Sequence, residues 1–205
     1  MDEGRIRSDP AYGKFLQLKK SILEKQPVIA FSGGMDSTFL AFVANEVCRR
    51  SLAVTVISQL SPSWEIDEAL KLAKMLDLNH KVVEYNPLED PNVVTNTPDR
   101  CYHCKKQIMS RLLEIAKSHG FDTVMDGTNS DDHGAYRPGL RALAELKVVS
   151  PLAQAGLEKP EIRRLSKILG LSTWNKEPMS CLATRIPYGQ TLESSRLLRI
   201  DKAET

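Results

Sequence analysis

The sequence contains no apolar run approaching the roughly 20 residues that a bilayer-spanning helix needs, so a transmembrane segment is excluded. Charge of one sign is also missing. Lys and Arg number 28 against 26 Asp and Glu, a net charge of +2. That balance supplies no electrostatic case for a nucleic-acid binder. The opening residues, MDEGRIRSDP, are charged and carry no apolar core. No secretory signal is read there, and a cytoplasmic location is the expectation. There is no internal repeat and no low-complexity tract. Cysteine is scarce: Cys48, Cys101, Cys104 and Cys181 are the whole set. In a reducing compartment such thiols read as metal ligands or catalysts rather than structural disulfides.

What is present suits a soluble globular chain. Of 205 residues, 41% are hydrophobic and 26% charged. The length allows one substantial core, or one core with a small appendage. Short apolar runs alternate with helical patterns. Val28 to Phe31, Leu52 to Ile57, residues 81–85, Phe121 to Met125 and residues 147–152 read as strands. Residues 38–50, 65–76 and about 102–118 read as helices. A further helix opens at Pro160, placed at its first position, with Glu161 in the first turn and Gly170 past the end. Residues 86–100 and 128–140 are polar, punctuated by Gly or Pro, and read as connections. Phe15, Leu16, Leu18, Ile22 and Leu23 suit an amphipathic lead-in helix within residues 1–26. Strands alternating with helices predict an α/β fold, a doubly wound parallel sheet of about five strands with helices on both faces.

The first strand ends in Ala30-Phe31 and runs into Ser32-Gly33-Gly34-Met35-Asp36-Ser37 before a helix. Ligands of such sheets bind outside the carboxyl ends of the strands. Two glycines let the backbone approach an anion, and exposed N–H groups at a helix start favour phosphate. The Lys of a Walker loop is absent, and the pattern is not that of a dinucleotide fingerprint. Asp36 would repel bare phosphate but suits a phosphate accompanied by Mg²⁺. Gly-Gly alone would read as a tight turn. The strand, the whole loop and the helix together read as a phosphate site.

Cys101 and Cys104 form a CxxC pair at a helix start, where the helix dipole is expected to lower a thiol pKa. Cys181 lies far away within PMSCLATRIPYG, near Arg185, a side chain able to grip a carboxylate or phosphate bidentately. Three thiolates suit three irons of a [4Fe–4S] cluster. They equally suit zinc with His103 or water as a fourth ligand. Cys48, on the apolar helix after the phosphate loop, reads as a buried, inert thiol.

SGGMDS resembles the signature of the PP-loop ATP pyrophosphatases. Together with TPDRCYHCKK, MDGTNSDDHGAYRPGLRAL and NKEPMSCLATRIPYG, in that order, it resembles the LarE-type sulfur transferases of nickel-pincer cofactor synthesis. The resemblance implies cleavage of ATP between its α- and β-phosphates. A substrate carboxylate, that of a pyridinium dicarboxylate mononucleotide, is adenylylated and converted to a thiocarboxylate. By the same resemblance Ala30, Phe31, Ser32, Gly33, Gly34, Asp36 and Ser37 hold the nucleotide, Ser58 lies near the adenine, and Gly127 near the ribose or α-phosphate. Thr184, Arg185, Asp131 or Asp132, and Arg137 would meet the substrate. Cys181, Asp36 and Arg185 would be catalytic. In one form of the family the cysteine matching Cys181 surrenders its own sulfur. In the other, three cysteines hold an iron–sulfur cluster, and Cys101, Cys104 and Cys181 match that form. The implied cofactors are ATP, Mg²⁺ and a [4Fe–4S] cluster. The implied partners are a small carboxylate substrate, a sulfide or sulfur-carrier donor, and further copies of the chain in a homo-oligomer.

The rival readings are an amide-forming ligase of the NAD or GMP synthetase kind, a tRNA thiolase, and a regulatory nucleotide-binding module with a structural zinc. The expected division is a helical lead-in over 1–26, the PP-loop domain over 27–190, and the start of a C-terminal segment over 191–205 that is cut short relative to the family.

Overall fold

A computed structural model describes residues 3–134, 138–178 and 180–205. The chain opens with helices α1 (Glu3–Arg7) and α2 (Tyr12–Ile22), then enters strand β1 (Pro27–Ala30) and helix α3 (Met35–Val47). Strand β2 (Leu52–Ile57), helix α4 (Ser63–Met75) and strand β3 (His80–Glu84) follow. A short helix α5 (Pro91–Val94) precedes the long α6 (Arg100–Ser118) and strand β4 (Thr123–Met125). Helices α7 (Pro138–Glu145), α8 (Pro151–Gln154), α9 (Lys159–Ile168) and α10 (Ser194–Glu204) complete the chain.

The four strands are parallel in the order β3-β2-β1-β4. Val149 extends the sheet beyond β4 by one bridge to Met125, taking the place of the expected fifth strand. Pro151, which opens α8, turns the chain out of the sheet two residues later. From β1 the chain runs outward to β2 and β3, then returns to β4 on the other side of β1. That reversal is a switch point, and it lies beside the phosphate loop.

Strand alternation sets the two layers. Ile29, Ala53 and Met125 face one side, where they pack with α2, α3, α4, α8 and α9. Val28, Val54 and Val124 face the other, under α6 and α7. Both faces are covered, which is why these strands read as continuous apolar runs. In α2, Phe15, Leu18 and Ile22 reach the core, whereas Leu16 and Leu23 stay 46% and 54% exposed. The lead-in stripe is therefore narrower than its sequence pattern. Two boundaries also differ from expectation. Gly34 caps α3, so Met35, Asp36 and Ser37 form its first turn rather than a loop. Helix α7 lies partly within the segment read as a connection, with Pro138 as its first residue.

A third apolar cluster sits beyond the sheet's carboxyl edge. It joins Leu60, Val93, Leu182, Ala183, Ile186, Leu192 and Leu197, and Cys104 and Cys181 pack against it. This cluster gathers the loop after β2, α5, the Cys181 segment and α10.

Helix α9 begins with a capping box: Glu161 accepts the Glu158 N–H at 2.9 Å, and Pro160 stands one residue inside its expected position. The same carboxylate holds Lys14 of α2 at 2.8 Å. Glu161→Ala removes both, and a thermal melt should show a loss of about 1–2 kcal/mol.

Candidate active site

Two cavities open at the carboxyl edge of the sheet. The larger, about 500 Å³, is walled by Ala30, Phe31, Ser32, Gly34, Asp36, Ser37, Asp126 and Gly127, among others. Its floor is the phosphate loop. Gly33 has φ +72°, and a Cβ there would fall 2.8 Å from both Cα and Cβ of Ala69 in α4. Gly127 is constrained from the other side: a Cβ would lie 2.9 Å from the Ser37 nitrogen. The glycines thus let α4 and the end of β4 close on the loop, and no bulkier residue fits either place. Ser37 Oγ accepts the Ser32 N–H at 3.3 Å and donates to the Gly34 carbonyl at 3.2 Å, which fixes the loop's curvature. Lys176 Nζ donates to the Gly33 carbonyl at 3.2 Å and pairs with Glu68 of α4 at 2.8 Å.

Acids and bases face each other across this cleft. Asp36, Asp126, Asp132, Glu65 and Glu177 line it together with Lys105, Lys159 and Lys176. Asp126 is 4% exposed and is held by Thr128 Oγ1 at 2.6 Å and Ser150 Oγ at 2.7 Å. A buried, doubly hydrogen-bonded carboxylate beside the Asp36-bearing helix start suits a site handling phosphate with a divalent cation. Burial raises the Glu65 carboxyl above its ordinary range, against the opposing pull of Lys176 and Arg185.

The smaller cavity, about 270 Å³, is walled by Ser58, Leu60, Arg100, Cys101, Cys104 and Cys181, and it shares Ser61, Glu65, Lys105 and Ile108 with the larger one. The three expected cysteines therefore line one space, and that space adjoins the phosphate cleft. Cys48 is elsewhere; its thiol donates to the Ile22 carbonyl at 3.0 Å, and burial pushes its pKa up to about 11.

What brings two remote cysteine segments together is a residue pair outside the expected set. Asn96 is fully buried with φ +51°, and its amide donates to the Ile186 and Pro187 carbonyls at 3.2 and 2.9 Å. Arg100, 2% exposed, donates to Asn96 Oδ1 and to the Ala183 carbonyl, and its other nitrogen lies 3.6 Å from Cys101 Sγ. One buried cation thus spans α6 and the Cys181 turn. The signal in the sequence was an Arg directly before the CxxC pair.

The expected lowering by the helix start does not hold at Cys104. Burial pushes the Cys104 thiol up to about 12, with the Cys181 and Cys101 charges adding to the rise. Burial also raises Cys181, although Arg100 pulls against it. Cys104 sits a turn inside α6, where desolvation outweighs the dipole.

The remaining expected residues are placed as follows. Ser58 lines the thiol cavity, with its hydroxyl accepting the Leu60 N–H at 3.2 Å, and it does not line the larger cleft. Asp132 lines the cleft, whereas Asp131 accepts the Lys159 N–H at 2.8 Å, at the start of α9. Thr184 is exposed and donates to the Cys181 carbonyl at 2.8 Å. Arg185 grips a carboxylate bidentately, that of Glu204 in α10 at 2.8 and 2.9 Å, and donates to Ser180 and to the Cys181 carbonyl. It braces the Cys181 turn and lines neither cavity. Arg137 lies outside the described residues. Among the described residues no group of three or more His, Cys, Asp or Glu is arranged to hold a metal ion as it stands. No described helix is long and apolar enough to cross a membrane.

The queuosine biosynthesis protein QueC family profile matches residues 26–110. A Methanocaldococcus jannaschii protein is 32% identical over 195 residues, covering 93% of this chain and 74% of its own length. The pyridinium-3,5-bisthiocarboxylic acid mononucleotide synthase of Lactiplantibacillus plantarum is 38% identical over 178 residues, covering 86% of this chain. The chain belongs to the PP-loop ATP pyrophosphatases, and among them it is similar to the LarE-type synthase. It spans 64% of the L. plantarum synthase's length. The solved NMN synthetase of Francisella tularensis shares the fold, with a TM-score of 0.64 at 19% identity over 93% of this chain and 84% of that one.

Gly33→Ala tests the loop geometry. The left-handed φ and the Ala69 contact together should cost about 1–3 kcal/mol of stability. Calorimetric titration with ATP should show at least a tenfold weaker affinity, since a shift of about 1.4 kcal/mol at the loop suffices for that.

Proposed function

We propose that the protein is an ATP-dependent sulfur transferase that adenylylates a substrate carboxylate and replaces AMP with sulfur. The observation that carries this reading is the shared wall. A phosphate cleft built on the PP-loop opens directly beside a cavity lined by three cysteines. An amide-forming ligase needs no thiols at that position. A tRNA thiolase needs a basic surface that a net charge of +2 does not supply by itself.

The substrate we propose is pyridinium-3,5-biscarboxylate mononucleotide, from the likeness to the L. plantarum synthase. ATP would occupy the larger cleft over Ser32 to Ser37, with Asp36 and Asp126 placed to meet Mg²⁺. The carboxylate oxygen attacks the α-phosphorus and pyrophosphate leaves. A sulfur anion then attacks the acyl carbon, and AMP departs with the electron pair of the broken C–O bond. The nucleotide-binding unit proposed is residues 27–190.

The thiol cavity fits a [4Fe–4S] cluster in its donor set. Cys101, Cys104 and Cys181 line one cavity, and three thiolates suit three irons of such a cluster. Buried thiols held protonated by desolvation also need a cationic partner to ionise, and metal binding supplies one. Cys101, Cys104 and Cys181 would hold the cluster, and its chemistry would be to carry the transferable sulfide. Arg100 would balance the negative charge gathered there.

Cys181→Ala should abolish thiocarboxylate formation, read by mass spectrometry after one turnover. Adenylylation, followed by ATP–pyrophosphate exchange, should stay within about threefold, because the residue acts only after AMP is attached. Retention of thiocarboxylate formation by this variant removes the sulfur-transfer reading. Anaerobic purification should recover about four iron and four sulfide per chain; one zinc per chain instead would remove the cluster and leave the adenylylation reading standing.

A further inference from the structure

We infer that Lys105 is a catalytic residue of the second half-reaction, the cation that neutralises the departing AMP as sulfur attacks the acyl-adenylate. The inference rests on the sulfur-transfer reading above and assigns a role that the expected residue set does not contain.

The geometry is that of a passage. Four residues wall both cavities: Ser61, Glu65, Lys105 and Ile108. An acyl-adenylate whose phosphate stays over the loop while its carbonyl meets a thiol-borne sulfur must lie across this wall. Lys105 is the one cation common to both spaces among the described residues. Arg100 reaches only the thiol cavity, and Lys159 and Lys176 only the cleft. Lys176 is moreover committed to Glu68 and to the Gly33 carbonyl. Among the described residues no carboxylate lies within ion-pair distance of Lys105, although Glu65 shares its wall. Its stem runs past Gly139, at the start of α7, where an added Cβ would make ordinary van der Waals contact with Lys105 Cβ and Cγ at 3.7 Å. A half-buried cation with no anionic partner among the described residues, at the junction of two cavities, is placed for a charge that arrives with the substrate.

The chemistry requires such a charge at that point. The sulfur lone pair forms the C–S bond, and the acyl C–O bond breaks with its electrons passing to the AMP phosphate. The phosphate gains one negative charge as it leaves. A fixed ammonium beside that oxygen stabilises the change, whereas pyrophosphate departure in the first half-reaction takes place at the far end of the cleft.

The test uses Lys105→Met, which keeps the stem and removes the charge, and Lys105→Arg, which restores a cation. Each variant receives ATP and pyridinium-3,5-biscarboxylate mononucleotide, and AMP release is then started by sodium sulfide or, separately, by hydroxylamine. Lys105→Met is expected to slow AMP release about 10²–10³-fold with either nucleophile, the usual loss on removing one charge-stabilising donor. ATP–pyrophosphate exchange and the melting temperature should stay near wild type, and Lys105→Arg should recover most of the rate. Unchanged AMP release in Lys105→Met overturns the assignment, and so does a parallel loss of exchange, which would make Lys105 an ATP-binding residue. If the unsubstituted protein reacts with hydroxylamine but never with sulfide, the sulfur-transfer reading falls, while the hydroxylamine arm still decides the role of Lys105.

Discussion

A single buried cation organises the chemical end of this molecule. Arg100 is almost wholly desolvated, a state that costs several kcal/mol unless every donor is used. Its partners are Asn96, the Ala183 carbonyl, the Cys101 sulfur and, at 5.7 Å, the ring of Tyr188. No carboxylate is among these contacts. Two of them, Ala183 and Tyr188, belong to the Cys181 segment; Asn96 lies in the connection before α6 and Cys101 in its first turn. The bracket therefore brings into one cavity cysteines separated by about eighty residues of chain, and it leaves the pocket positively biased. A cavity of that bias lined with thiols is suited to anionic sulfur.

The second constraint is backbone crowding at the switch point. Gly33 lets α4 descend onto the loop, and Gly127 lets the end of β4 touch the first turn of α3. With both approaches closed, the floor of the cleft consists of N–H groups and hydroxyls rather than side-chain bulk. The two constraints meet at Ser61, Glu65, Lys105 and Ile108, the residues both cavities share. The site is thus a boundary between two separately braced pockets.

Much of this was legible beforehand, and the reasons are physical. Strands buried on both faces give unbroken apolar runs, so β1, β2 and β4 could be located from composition alone. The loop was legible because the strand, the whole SGGMDS block and the helix stand together, where Gly-Gly alone would read as a tight turn; the three cysteines that its companion motifs carry line one cavity. The lining residues from distant segments were not legible. Lys159 and Lys176 enter the cleft through α9 and the turn after it, and a lone Lys carries no spacing signal. Asn96 looked like part of a polar connection, since neither its positive φ nor its burial is written in the local pattern. Arg185 shows the opposite failure. Its bidentate grip on a carboxylate was expected for a ligand and is satisfied by Glu204 within the chain. Sequence chemistry named the interaction and could not name the partner.

The missing Walker lysine takes on a definite meaning in this arrangement. In a Walker loop one Lys on the loop itself attends the terminal phosphates. Here the cations of the cleft are supplied from outside the loop: Lys159 and Lys176 from the C-terminal half, Lys105 from α6. Lys159 and Lys176 stand away from the thiol cavity, whereas Lys105 stands on its wall. On the proposed reading this divides the labour between two departures. Lys159 attends the pyrophosphate that leaves when the carboxylate is adenylylated, Lys176 braces the loop through Glu68 and the Gly33 carbonyl, and Lys105 attends the AMP that leaves when sulfur arrives. A loop lysine would concentrate positive charge at one end of the triphosphate and favour γ-phosphoryl transfer. Distributing the cations over three elements favours reaction at the α-phosphate and keeps one charge in reserve at the acyl carbon, where a neighbouring thiol-lined cavity has the means to use it.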